Sequence, residues 1–178
     1  ERVDHFSFSV SAQATGLLFL GTMFGAMWVG VLSDWLKNRL LVMKFGAILA
    51  IIVFALFINL KTQDAYIIDI LFFILGLVTS TQVLAYPMVV SYNGEKYAST
   101  ATSIVSIMCL GTGAVSQVAF GWMMTLKGSV DISKSGIPVY SVSSYKFAVS
   151  ILLITFVIGL LVSFFIKDFS KLENNQAA

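Results

Sequence analysis

Charge is scarce in this chain. Only 11% of its 178 residues are Asp, Glu, Lys or Arg, against 58% apolar, and the mean hydropathy is +0.91. An ordinary water-soluble domain carries about 25% charged residues, so a soluble globular fold is excluded. Cysteine is nearly absent: Cys109 stands alone, and no internal disulfide framework can be built. Two prolines and thirteen glycines are too few for a collagen-like or proline-rich disordered chain. His5 is the single histidine. With no clustered carboxylates, no phosphate-binding glycine loop and no metal-ligand spacing, nothing is left from which to assemble a hydrolase, transferase or metalloenzyme. An enzyme is not expected and no cofactor is implied. The formal net charge of +2 is small and evenly spread, which argues against nucleic acid as a partner.

What the chain has is long apolar runs. A helix crossing the hydrocarbon core needs about 20 mostly apolar residues, and five runs meet that length: 11–33, 40–60, 65–90, 98–126 and 147–166. The second carries only Lys44, near one end, where its stem can snorkel; the third carries one acid, Asp69. The runs are apolar on all faces without period-2 alternation, so helices fit and an outer-membrane barrel does not. The expectation is an all-α polytopic transmembrane bundle of five spans, a single unit over 1–178, with the lipid bilayer as its first partner. Three short links, 34–39, 61–64 and 91–97, make successive helices antiparallel neighbours. The longer link 127–146, with its Gly, Ser and β-branched residues and Pro138, predicts an external loop with a small hairpin. The polar tail from Lys167 is expected to fray.

Orientation follows the Lys and Arg bias of short loops. With the first link facing the cytoplasm, Lys37, Arg39, Lys44, Lys96, Lys167 and Lys171 lie inside, and Arg2, Lys61, Lys127, Lys134 and Lys146 outside. The opening ERVDHFSFSV has neither an initiator Met nor the basic start and apolar stretch of a signal peptide. It reads as the middle of a loop, and the chain is expected to be a piece of a longer protein.

After the first run comes GVLSDWLKNR, 30–39. It resembles the loop signature of the major facilitator superfamily of secondary transporters, a Gly, three residues, an Asp, then a Gly and basic residues. Gly30, Leu32, Ser33, Asp34 and Arg39 match; Trp35 replaces a basic residue, and Lys37 and Asn38 stand where Gly and Arg are usual. The stretch 97–124 is similar to the penultimate helix of bacterial members, with Thr100 and Ala101, Gly111 and Gly113, and Gln117 followed by Gly121 and Trp122. The loop ending VYSVSSYKFA resembles the one before the family's last helix. The resemblance implies that the five runs are the eighth to twelfth helices, with the seventh helix and the N-terminal half outside this chain. It further implies solute transport by alternating access, commonly proton-coupled symport, in a bacterial cytoplasmic (inner) membrane. Asp34 would then latch against the N-terminal half from the gating loop that Gly30 opens. Glu95, in the third link, is the acid placed to pair with Arg39 on the same side, so an Arg39–Glu95 contact is expected there; solvated loop charges are the alternative for Asp34 and for the pair.

In such a transporter the solute sits near the bilayer midplane, so polar side chains deep in the runs are the candidates. Thr79, Gln82 and Tyr86 stand at helical spacing on one face, and Pro87 releases the carbonyl of Val83 and predicts a kink there. Ser106 and Gln117 belong to a stripe that also holds Thr102, Cys109, Gly113 and Ser116. Packing by small residues accounts for most of that stripe, and back-bonding accounts equally well for the Thr and Ser hydroxyls. Gly21 and Gly25 form a GxxxG pair expected to bring two helices close, flanked by Gly16 and Gly30. Met23, Met27 and Trp28 fit core or lipid packing. Asp69 is either an outer-interface residue or a proton site or external gate. An anionic solute would need a charge partner from outside these runs. Amides and hydroxyls suit a small neutral or zwitterionic solute such as an amino acid. A multidrug exporter of the same superfamily and a non-transporting solute sensor are the alternatives.

Overall fold

In hydrocarbon every backbone N–H and C=O must find its partner within the chain, and the apolar runs meet that demand as helices. A computed structural model describes residues 8–60, 64–126, 131–132 and 138–166. The helices are α1 (Phe8–Leu36), α2 (Arg39–Asn59), α3 (Ala65–Thr79), α4 (Ala85–Asn93), α5 (Ala98–Leu126) and α6 (Val142–Phe165). α3 and α4 are the two parts of one span, 65–93, joined by a 3₁₀ segment, Ser80–Leu84. Five spans of membrane-crossing length and composition result, and the chain is an all-α helical membrane protein. The last helix begins five residues before its apolar run, because Ser141 caps it by accepting from the Ser144 amide and Lys146 lies in its first turns, where its stem can reach the interface. The hairpin expected in the long link is present as β1 (Asp131–Ile132) and β2 (Pro138–Val139), antiparallel, with Asp131 opposite Val139. The polar tail lies outside the described residues.

The links before α2 and before α5 are tight. Lys37 takes a left-handed φ of 49°, and Asn38 caps α2 by accepting from the Leu41 amide at 2.7 Å. Gly94, at φ 77°, ends α4, and one 3₁₀ turn, Glu95–Tyr97, leads into α5.

Lipid tails are as apolar as Leu, so helices in a bilayer associate through close packing and cross-helix hydrogen bonds. The most extensive contact is α1 against α3, and glycine makes it possible: a Cβ on Gly21 would strike the Phe73 carbonyl, one on Gly25 the Leu77 backbone, and one on Gly76 the Leu18 carbonyl. The expected GxxxG contact is formed, whereas Gly16 and Gly30 face open space. α2 packs on α3 and α6, with Phe57 edge-on to Phe72 at 5.4 Å and Phe54 to Phe156 at 5.8 Å. Lys44 sets its ammonium over the Phe164 ring at 4.6 Å, satisfying a cation near the end of a span. α5 packs on α4 and α6. A buried apolar cluster, Val29, Val42 and Leu84 with Met43 against them, lies where α1, α2 and the 3₁₀ segment meet. Met23, Met27 and Trp28 are exposed on α1.

Candidate functional site

The 3₁₀ segment lies in the middle of its span, and its cause is local. Thr79 donates its hydroxyl back to the Leu75 and Gly76 carbonyls, Ser80 to Leu77 and Thr81 to Val78. Three successive hydroxyls thus compete for carbonyls of the preceding turn. Downstream, Pro87 has no N–H to offer the Val83 carbonyl. The backbone tightens instead, and the Ala85 amide bonds to the Gln82 carbonyl three residues back. The distortion therefore spreads over 80–84, ahead of the kink expected at Pro87. It is seated on two glycines. Ser80 is fully buried, its Oγ where a Cβ on Gly25 would fall, and the Thr81 side chain occupies the space that a Cβ on Gly46 would need.

That tightening splits the face expected to hold Thr79, Gln82 and Tyr86. A 3₁₀ residue turns about 120° where an α-helical one turns about 100°, so five residues displace the register by about 100°. Thr79 bonds to its own helix. Gln82 is exposed, and Tyr86, half-buried, reaches α5, its hydroxyl 3.3 Å from Ser106 Oγ. Ser106 and Tyr86 are brought together; Gln117 is exposed about three helical turns further along α5. Neither amide has a hydrogen-bond partner among the described residues. A groove of about 420 Å³ runs along the same two helices, lined by Val89, Asn93, Tyr97, Ala101, Val105 and Cys109 among others.

At the loop end the expected Arg39–Glu95 contact is not formed. Arg39 donates to Ser91 Oγ at 2.8 Å and to the Pro87 carbonyl at 3.5 Å. The Ser91 hydroxyl donates to that same carbonyl at 2.9 Å, so Arg39 ties the start of α2 to α4 directly after the 3₁₀ segment. Glu95 lies beyond the left-handed Gly94, exposed on the following turn. Asp34 is exposed, while its neighbour Ser33 is 2% exposed with an unpartnered hydroxyl. Gly30 meets nothing that a side chain would disturb.

Asp69 is buried, 8% exposed, between α3 and α1. Its Oδ2 accepts from Gln13 Nε2 at 2.8 Å, and its Oδ1 is buried without a partner. An open interfacial position, where water would solvate both oxygens, is not what the fold provides. Gln13 escaped the sequence reading. No signal within either span pointed to it, because the pairing depends on the register between the first and third spans, which pack directly on each other. Among the described residues no group of His, Cys, Asp or Glu is placed to hold a metal ion.

Comparisons with protein-family models, with curated proteins and with solved structures found no match. The class that the fold itself defines is a polytopic helical membrane protein with one internally interrupted span.

Proposed function

We propose that this chain forms the C-terminal spans of a secondary active transporter that takes up a small neutral or zwitterionic solute, an amino acid or similar metabolite, by proton-coupled alternating access across a bacterial cytoplasmic membrane. The observation that carries the reading is the 3₁₀ segment at 80–84 in the middle of the third span. Interrupted helices at the midplane are where such carriers build their solute sites, because irregular backbone is tolerated in a bilayer only where protein or a water-filled cavity meets it. Gln82 projects from that segment, and the Tyr86–Ser106 pair follows it by one turn. Gln117 extends the polar surface along α5. The loop at 30–39 supports the family resemblance, since Lys37 takes its left-handed φ of 49° at the position where the signature carries Gly. Asp34 acts as the latch toward the other half of the transporter, now without Arg39–Glu95 as its companion pair. The apolar groove between α4 and α5 favours a second reading, an exporter of amphipathic compounds.

Counterflow by the intact protein in proteoliposomes, over labelled amino acids, organic acids, sugars and amphipathic cations, tests this. The expected result is exchange of one small polar solute, weakened in Gln82→Ala with the fold intact. Exchange of amphipathic cations alone selects the exporter, and binding of a panel member without exchange selects a sensor.

A further inference from the structure

We propose that Asp69 and Gln13 form a proton-binding contact whose occupancy decides whether α1 and α3 stay closed at the end of the bundle that carries them. An ionised carboxylate offers acceptor positions on both oxygens, yet here one neutral amide serves Oδ2 and nothing serves the buried Oδ1. Among the described residues of the helices packed around it, no basic side chain faces the carboxylate. From Ser9 to Ser33, α1 has no titratable side chain, and from Phe45 to Asn59, α2 has none. On α3 itself the titratable neighbours are Asp64 and Tyr66, both exposed and nearer the helix start. One turn further in, Phe72 stacks edge-on against Phe57, closing that side with apolar surface.

A buried charge without a partner is the costly state, and two routes relieve it. A proton neutralises the carboxyl while α1 stays seated. Alternatively, the helices part at this end and water reaches Oδ1. A metal ion is a poorer occupant, since it needs several oxygen ligands and no suitable cluster is present among the described residues. Further along, Gly21, Gly25 and Gly76 hold the two backbones in direct contact, so opening is confined to the segment of α1 before Gly21. Protonation and closure are therefore linked: the proton binds where α1 closes and leaves where it opens. The contact stands on the helix packing alone; only its use as the coupling site rests on the transport reading.

The test uses the intact protein in lipid nanodiscs with Cys109→Ser, Thr15→Cys and Tyr66→Cys, spin-labelled at the two new positions, which are exposed on α1 and α3. The inter-label distance is followed by electron paramagnetic resonance from acidic to alkaline pH. The expected result is a short distance in acid and a growing longer-distance population in alkali, with Asp69→Asn short throughout because a carboxamide mimics the protonated acid. Infrared difference spectra of the protein without substitutions are expected to show a protonated-carboxyl band that disappears in alkali. A distance insensitive to pH, a pH response that persists in Asp69→Asn, or the absence of that band overturns the proposal. If counterflow fails while these signals hold, the transport reading falls and the proton site stands.

Discussion

A guanidinium has five N–H donors in a rigid fork, and at the water-facing end of a bundle it can satisfy them from carboxylates, water or neutral oxygens. Arg39 takes the Ser91 hydroxyl and the Pro87 carbonyl. The choice follows from the backbone: Pro87 interrupts the regular helix, Ser91 stands four residues on, and Arg39 in the first turn of α2 lies across from both. Glu95 is separated from them by the turn at Gly94. The consequence is a difference between two substitutions that charge pairing alone would make equal. Arg39→Ala removes the donor that joins α2 to α4 and is expected to cost about 1–2 kcal/mol, whereas Glu95→Ala is expected to stay within about 0.5 kcal/mol. Reversible unfolding in mixed micelles measures both. Equal losses would restore Glu95 as the partner. Sequence spacing singled out the right arginine and the wrong acceptor, because an acidic residue is visible in a sequence while the carbonyl of Pro87 is not.

At the scale of elements, the contact between α1 and α3 depends on three missing side chains. Gly76 faces the Leu18 carbonyl, and a methyl group there would have to displace backbone, which in a close-packed contact costs about 1–3 kcal/mol. Gly111 on α5 has nothing within reach of such a methyl, and there alanine gains about 0.5–1 kcal/mol from the smaller entropy it loses on ordering into a helix. Gly76→Ala is thus expected to lower the unfolding midpoint and Gly111→Ala to raise it, measured side by side in the same detergent. The existence of the spans was legible because hydrophobic length is a one-dimensional property, and the GxxxG contact was legible because its spacing repeats on one face. The 3₁₀ segment was half legible. Pro87 announced a distortion, but its position depended on the hydroxyls of Thr79, Ser80 and Thr81 acting together, which displaced Gln82 from the face that an ideal helix would give it. The Gln13–Asp69 bond needed the register between two spans separated by a third.

For the whole molecule, the two ends of the bundle differ in what they present to the interfaces. One end carries Trp35, Lys37, Arg39, Lys96 and Tyr97, with Lys44 a turn and a half inside and turned onto Phe164. The other carries Tyr66, Asp64, the Gln13–Asp69 contact and, among the described residues, one basic side chain, Lys146. Basic residues flanking the spans favour the cytoplasmic side, and Trp and Tyr side chains mark the headgroup level at both ends. Trp35 and Tyr66 are 78% and 84% exposed, so each can be replaced without opening a cavity. They terminate spans one and begin span three, at opposite faces of the membrane. In a Cys109→Ser background, Tyr66→Cys is expected to react with a membrane-impermeant maleimide added to intact cells, and Trp35→Cys only after permeabilisation. The reverse pattern would turn the bundle over and put Asp69 on the cytoplasmic side, where, under the proposed proton-coupled uptake, a proton would be released and not captured. If the transport proposal holds, the orientation read by this labelling also decides from which side the Asp69 contact would take its proton.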